Sequence, residues 1–196
     1  MMNLMRKSAY AVAAGLSAVM VLAGCGSSTD GTAEPAGGST GTSAAGQSIA
    51  EDVPSGFAPC EDIPQEVLDS EGLHSTGGEA SKDNMQRGEI KWRGCRWVVS
   101  DGYGTSISAT NLTLEMIREK ANPGTQEGTV SGRTVLYAPD DAGDTTQCRL
   151  NAQMEGGSLE IMVDNPNSRR KTGHEPACDI VLRLAGKVLP LIPAGA

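Results

Sequence analysis

Apolar and polar positions along this chain follow two periods, and the periods predict its elements. An apolar run from Ala9 to Leu22 stands apart at the N-terminus. Further on, Ile63, Val67 and Leu68 share one helical face, with Pro64 near its start and Gly72 at its stop. Ile90–Ser100 alternates as a strand would, but with a slip. Ile90 and Trp92 fall on one parity, and Cys95, Trp97 and Val99 fall on the other. A β-bulge at Gly94 would bring both sets onto one buried face. Thr105–Asn111 follows as a second strand. Leu114, Ile117 and Ala121 return to helical spacing, with Thr113 as the cap and Pro123-Gly124 as the stop. Thr129–Tyr137 is a third strand. Cys148, Leu150, Ala152 and Met154 alternate, as do Leu159, Ile161 and Val163, and Gly156-Gly157 between them signals a hairpin. A last apolar stripe, Cys178, Val181, Leu182, Ala185, Val188 and Leu189, lies along a helix that Pro176 starts and Pro190 ends.

The order α-β-β-α-β-β-β-α, with its strands consecutive, predicts an α+β fold. An antiparallel β-sheet flanked by helices, an α/β/α sandwich, is the expected architecture. At 196 residues the chain suffices for one such domain. Aromatic residues make up only 3%, so the core must rest on Val, Leu, Ile, Ala and Met.

Composition divides the chain into residues 1–24, 25–50 and 51–196. The first segment joins Arg6 and Lys7 to the Ala9–Leu22 run, which is the pattern of a secretory signal peptide. The run falls short of the roughly twenty residues that a spanning helix needs. It ends in Leu22-Ala23-Gly24-Cys25, a tetrapeptide that resembles the lipobox of bacterial lipoproteins. That resemblance implies a diacylglycerol in thioether linkage to Cys25 and cleavage after Gly24. The chemistry needs a cysteine because a thiolate accepts the lipid, and two acyl chains anchor stably where one does not. Residues 26–50 contain 20 Gly, Ser, Thr or Ala in 25 positions, which reads as a flexible tether. From residue 51 onward a single globular domain is expected.

Residues 1–24 hold two of the chain's 16 basic residues and none of its 24 acidic ones. The remainder is therefore strongly acidic, the wrong sign for nucleic acid. Cys60, Cys95, Cys148 and Cys178 are an even number in an exported, oxidising setting, which predicts two disulfides. Three pairings are possible. The nearest-neighbour pairing, Cys60–Cys95 and Cys148–Cys178, is favoured because each bridge would join a helix to a strand. No CxxC spacing occurs and the two histidines stand alone, so no metal is expected.

Catalytic patterns are absent from the sequence. His74 and His174 are the only histidines, no GxSxG elbow occurs, and the domain cysteines are expected to be oxidised. Asp140, Asp141 and Asp144 lack the calcium-loop pattern and read as a solvated turn. Arg169, Arg170 and Lys171 form a short basic loop on an acidic domain. Trp97 is expected to pack as core beside Cys95. Asn111-Leu112-Thr113 matches a glycosylation sequon but is better explained as the lead into a helix.

Several of these residues together resemble a known family. Pro59-Cys60 precedes an amphipathic helix that ends in Gly72-Leu73. Gly94-Cys95-Arg96-Trp97 lies on a strand, Cys148 follows, and Pro176-Ala177-Cys178 opens the closing helix. Over about residues 55–192 this resembles the actinobacterial lipoproteins grouped as domain of unknown function family 3558. The resemblance implies a location outside the cytoplasmic membrane of an actinobacterium and assigns no activity. The element order is also similar to Mog1/PsbP-like sandwiches, a likeness of fold that carries over no catalytic residue.

The sequence thus leads to a lipid-anchored protein on the extracytoplasmic face of the cell membrane. It would be a non-enzymatic module for an envelope ligand or protein, without a cofactor. The alternative is a small envelope hydrolase or transferase that works through acidic residues such as Asp140 or Asp144.

Overall fold

The computed structural model describes residues 48–77 and 81–196. The N-terminal apolar run, Cys25 and the tether as far as residue 47 lie outside the described residues. Eight strands pair antiparallel into one sheet, and two disulfides fasten helices to it.

The helix expected around Ile63 is two short ones, α1 (Pro59–Asp62) and α2 (Gln65–Ser70). Pro64 separates them, because its ring holds the backbone extended at φ −63° and ψ 147°. Two short edge strands follow, β1 (Leu73–Ser75) and β2 (Met85–Arg87). They lie at opposite ends of β3 (Ile90–Val99) on its outer edge. Three residues each give too little alternation to be seen in a sequence.

The bulge expected at Gly94 is absent. β3 pairs with β4 (Gly104–Thr110) residue for residue, from Trp92 opposite Thr110 to Val98 opposite Gly104. The slip in the pattern has another cause. Cys95 and Trp97 face one side of the sheet and are buried there, while Trp92 faces the other side and is half-buried. Gly94 is a close-approach residue instead, since a Cβ at this position would stand 2.0 Å from the carbonyl oxygen of Ile107.

Thr113 caps α3 (Leu114–Glu119) as expected, its hydroxyl accepting from the backbone N–H of Met116 at 3.3 Å. The single strand expected over Thr129–Tyr137 is a hairpin of β5 (Gln126–Val130) and β6 (Arg133–Pro139). Ser131 and Gly132 both have positive φ, 50° and 78°, which matches a two-residue turn to the twist of its strands. β7 (Gln147–Met154) and β8 (Gly157–Asp164) form the next hairpin, turning at Glu155-Gly156. The sheet order is β1-β3-β4-β8-β7-β6-β5, with β2 also on β3. The β3–β4 hairpin and the β5–β8 meander therefore meet at one long-range seam, β4 against β8.

One sheet face carries Ile107, Ala109, Val135, Leu150, Ala152, Leu159, Ile161 and Val163, all at most 2% exposed. α4 (Ala177–Val188) covers the meander part of this face with Ile180, Val181, Leu184, Ala185 and Val188. Val181, Ala185, Val188 and Leu189 of the expected stripe are buried, Ile180 and Leu184 join them, and Cys178 and Leu182 flank the buried face. A 3-10 turn, Leu189–Leu191, ends the helix at Pro190. Cys148–Cys178 joins β7 to α4, and Cys60–Cys95 joins α1 to β3, with Cα separations of 5.0 and 5.3 Å. The nearest-neighbour pairing is the one that forms. Trp97 is buried in the same core, as expected.

The helix layer is itself clipped together. The side chain of Glu71, only 6% exposed, receives Lys187 and Arg183 from α4 and the hydroxyl of Tyr103 at 3.1 Å. Burial alone would raise its pKa, but these donors outweigh burial and hold it below the usual glutamate value. Tyr103 responds in the opposite sense, raised by its own burial and by the neighbouring carboxylate.

Two expectations follow. Replacing Cys148 and Cys178 together by alanine should cost about 3–4 kcal/mol in urea denaturation, the value for a loop of this length. Glu71→Gln should cost about 1–3 kcal/mol at neutral pH, since it removes the charge that Arg183 and Lys187 pair with and weakens the acceptor of the buried Tyr103 hydroxyl. Because the folded pKa of Glu71 lies below its unfolded value, the clip is complete at neutral pH and is lost as pH falls through the folded value. The variant should therefore unfold with less acid sensitivity than the parent, measured by urea titrations at neutral and acidic pH.

Candidate functional site

The opposite face of the sheet is not covered in the same way. Strand alternation places Trp92, Gly94 and Arg96 of β3 there, beside Ser106, Ser108 and Thr110 of β4. Ser158, Glu160 and Met162 of β8 follow, and then Arg149, Asn151 and Gln153 of β7. Among the described helices only α3 crosses this side, and it packs on β6 and β7. Between α3 and the strands a cavity of about 590 Å³ remains. Ile90, Leu112, Met116, Ile117 and Leu136 give it apolar walls, while Asn151, Glu160, Arg149 and Asp140 supply polar groups. A second cavity of about 570 Å³ lies on the same face, beside Arg96, Asp101 and Arg169, and Gln147 lines both.

The chemistry of the first cavity centres on Glu160. Its side chain is 11% exposed, and Arg149 Nη1 stands 3.5 Å from its nearer oxygen as a loose ion pair. The same guanidinium reaches Asp140 through Nη2 at 3.3 Å. Burial raises the Glu160 pKa; Arg149 offsets part of this, while Asp140 and Asp83 add to the rise. The indole N–H of Trp92 lies close enough to favour the carboxylate, yet it is buried and completes no hydrogen bond. Asn151, directly opposite Glu160 across the strands, is 4% exposed. Among the described residues its side chain has one hydrogen bond, from the Ser158 hydroxyl to Oδ1 at 3.4 Å, and that hydroxyl stands closer to the Leu112 carbonyl at 2.8 Å. Buried polar groups are normally satisfied. Among the described residues the Trp92 indole N–H is the one buried side-chain polar atom without a partner, and the cavity-lining Glu160 and Asn151 have long contacts only, at 3.5 and 3.4 Å.

The residues singled out in the sequence scatter. Asp140 and Asp141 line this cavity. Asp144 does not join them, because its Oδ1 accepts from the N–H and hydroxyl of Thr146, both at 2.7 Å. Those two bonds hold its carboxyl below the usual range. Arg170 pairs with Asp101, holding that carboxyl low, and Lys171 N–H donates to the Asp101 carbonyl. Arg96 pairs with Asp83 at 3.0 Å. His74 lies exposed on β1, 3.5 Å from the Ser100 hydroxyl, and His174 is exposed in a loop. Asn111 is fully buried, its amide donating to the carbonyls of Ala50 and Glu89 and accepting from Lys91 N–H. It pins the incoming chain to the domain. Among the described residues no three His, Cys, Asp or Glu side chains gather as a metal would need.

Glu160 and Asn151 are the residues that sequence reasoning passed over. One signal was present, since each is polar at the parity of its strand opposite to Ile161 and Leu150. That parity also suits an ordinary solvent face, so nothing in the sequence marks the burial.

Because the folded pKa of Glu160 is above its unfolded value, folding favours the protonated acid. Its stability contribution is complete below the unfolded value and declines as pH rises through the folded one. Glu160→Gln should therefore gain stability relative to the parent at neutral pH, and the gap should close in acid. Arg149→Ala should lose about 2–3 kcal/mol at neutral pH by leaving the carboxylate without its partner. Urea denaturation at two pH values measures both.

The protein-family comparison matches residues 20–191 to the family described as Protein of unknown function (DUF3558). No curated protein and no solved structure matches the chain. With the match running through most of the sequence, from the end of the N-terminal apolar run to the turn after α4, the chain belongs to the DUF3558 family.

Proposed function

We propose that this protein is a non-enzymatic binding module of the cell envelope. It is fastened by lipid on Cys25 to the extracytoplasmic face of an actinobacterial cell membrane and receives its ligand on the open side of the sheet. The observation that carries the binding reading is the cavity under α3, floored by Glu160 and Asn151, whose polar groups are held only by long contacts of 3.5 and 3.4 Å. A pre-formed cavity with apolar walls and a few convergent polar groups is the usual form of a ligand site.

The anchoring reading draws on the Leu22-Ala23-Gly24-Cys25 tetrapeptide and on a family match that begins at residue 20 and so includes it. Two disulfides agree with an oxidising compartment. The chain enters the domain at Ala50, held by Asn111. The Gly/Ser/Thr/Ala-rich tether before that point would let the cavity turn freely above the bilayer.

One observation favours a second reading, a hydrolase or transferase acting through carboxylates. Asp140 and Glu160 flank one guanidinium inside the same cavity. Two carboxyls in unlike surroundings can divide acid and base roles. Turnover of an envelope glycan or ester by the purified protein, lost in Asp140→Asn, would select this reading over simple binding.

Native mass spectrometry after exposure to envelope extract tests the binding reading. Ala138, on β6 at the cavity wall, can be enlarged to block it. A bound species on the parent that is absent from Ala138→Trp is expected; the same species on both would place binding elsewhere. For the anchor, the mature protein should begin with diacylated Cys25, and Cys25→Ala should leave the membrane fraction. An unmodified Cys25 in a chain that retains residues 1–24 would contradict it.

A further inference from the structure

We propose that the cavity under α3 takes a lysine-type side chain of an exported peptide, its primary ammonium seated against Glu160 and its methylenes along the apolar walls. This rests on the binding reading above and specifies the ligand for that site.

Charge comes first. Asp140, Asp141 and Glu160 line the cavity against Arg149 and Lys120, so carboxylates outnumber cations. A fatty carboxylate or a phosphate entering this space would meet like charge close to a buried acid. A cation would meet the opposite.

Hydrogen bonding narrows the choice. Glu160 has one ionic neighbour, Arg149, at 3.5 Å, and that guanidinium already stands closer to Asp140 at 3.3 Å. Arg149 can keep Asp140 while a new donor takes the underused oxygens of Glu160. Asn151, facing Glu160 across the strand pair, has an amide oxygen held only by a long 3.4 Å contact. An ammonium carries three donors and no acceptor, so one group can serve both oxygens. A hydroxyl could bring a single donor and no charge. A guanidinium is broader and would duplicate Arg149, which already bridges the two acids.

Shape supplies the remaining constraint. The polar groups sit on the sheet floor, while Met116 and Ile117 of α3 and Leu136 and Ala138 of β6 line the way to them. An ammonium on a short unbranched alkyl stem buries its methylenes against such walls and keeps its charge at the far end. An ethanolamine headgroup lacks this fit, because its phosphate lies two carbons from the nitrogen and would stand among Asp140 and Asp141.

The test uses the full chain with three four-carbon probes, n-butylammonium, n-butanol and butanoate, followed through the methyl signals of Met116 and Ile117. Butylammonium should shift these signals saturably and bind at least about tenfold more tightly than either other probe, as a charge-assisted contact requires. Glu160→Gln should weaken it by at least about tenfold. Ala138→Trp should abolish binding of every probe while Glu160 remains in place, which separates cavity loss from charge loss. Equal binding of butanol or butanoate, or butylammonium binding unchanged in Glu160→Gln, would overturn the ammonium assignment and leave the cavity as a binding site. No saturable shift with any probe would overturn both. A lysine-containing peptide and phosphatidylethanolamine vesicles form the last comparison: the peptide should bind, and binding by the vesicles alone would overturn the peptide source.

Discussion

A β-strand points alternate side chains to opposite faces, so a sheet that buries one face under helices must find another use for the second. The rest of this structure follows from that constraint. Ile107, Leu150, Leu159, Ile161 and Val163 all point to the α4 side and are fully buried. Fully burying aliphatic side chains of this kind contributes about 1.5–3 kcal/mol each before the entropy of ordering the chain is set against it. The covering layer comes in two parts, α4 over the meander and α1 with α2 beside the β3 end of the sheet. Each part is held to a strand by its own disulfide, and Glu71 ties the end of α2 to α4. The seam between β4 and β8 is sealed from the same side, since Ile107 lies opposite Ile161 and Ala109 opposite Leu159.

The second face carries the consequence. Its central positions hold short polar residues, Ser106, Ser108 and Ser158, all buried, with longer ones such as Arg96, Arg149 and Trp92 on the same face. Glu160 lies in that cover with little access to water, so its charge is costly and its proton is retained more readily than usual. α3 shields only one end, and the space it leaves is the cavity. A buried acid with a loose partner, facing an apolar-walled cavity, is a poor arrangement for stability and a serviceable one for recognition.

Much of the scaffold was legible in the sequence because it depends on patterns longer than a turn. Leu159, Ile161 and Val163, the Thr113 cap, the helix between Pro176 and Pro190 and the pairing of neighbouring cysteines are all local signals. What escaped was set by tertiary contact or by brevity. β1 and β2 have three residues each and exist because β3 has an edge to fill. The parity slip in β3 suggested a bulge because one buried face was assumed, whereas Trp92 is partly covered on the other. The turn at Ser131-Gly132 was hidden by a serine where glycine or asparagine would have signalled it. The cavity was invisible for a related reason: Glu160 and Asn151 occupy polar positions of strands, and only the packing of α3 and the neighbouring side chains turns a polar position into a buried one.

The two faces of the sheet differ, one sealed and one open to a cavity. Solvent paramagnetic relaxation of side-chain methyl groups, induced by a soluble gadolinium chelate, measures this directly. Strong relaxation is expected at Met116 and Ile117 of α3, and almost none at Leu150 and Ile161 of the sheet or at Ile180 and Leu184 of α4. Equal protection of both sets would mean that α3 closes the second face as completely as α4 closes the first, and the account would fail.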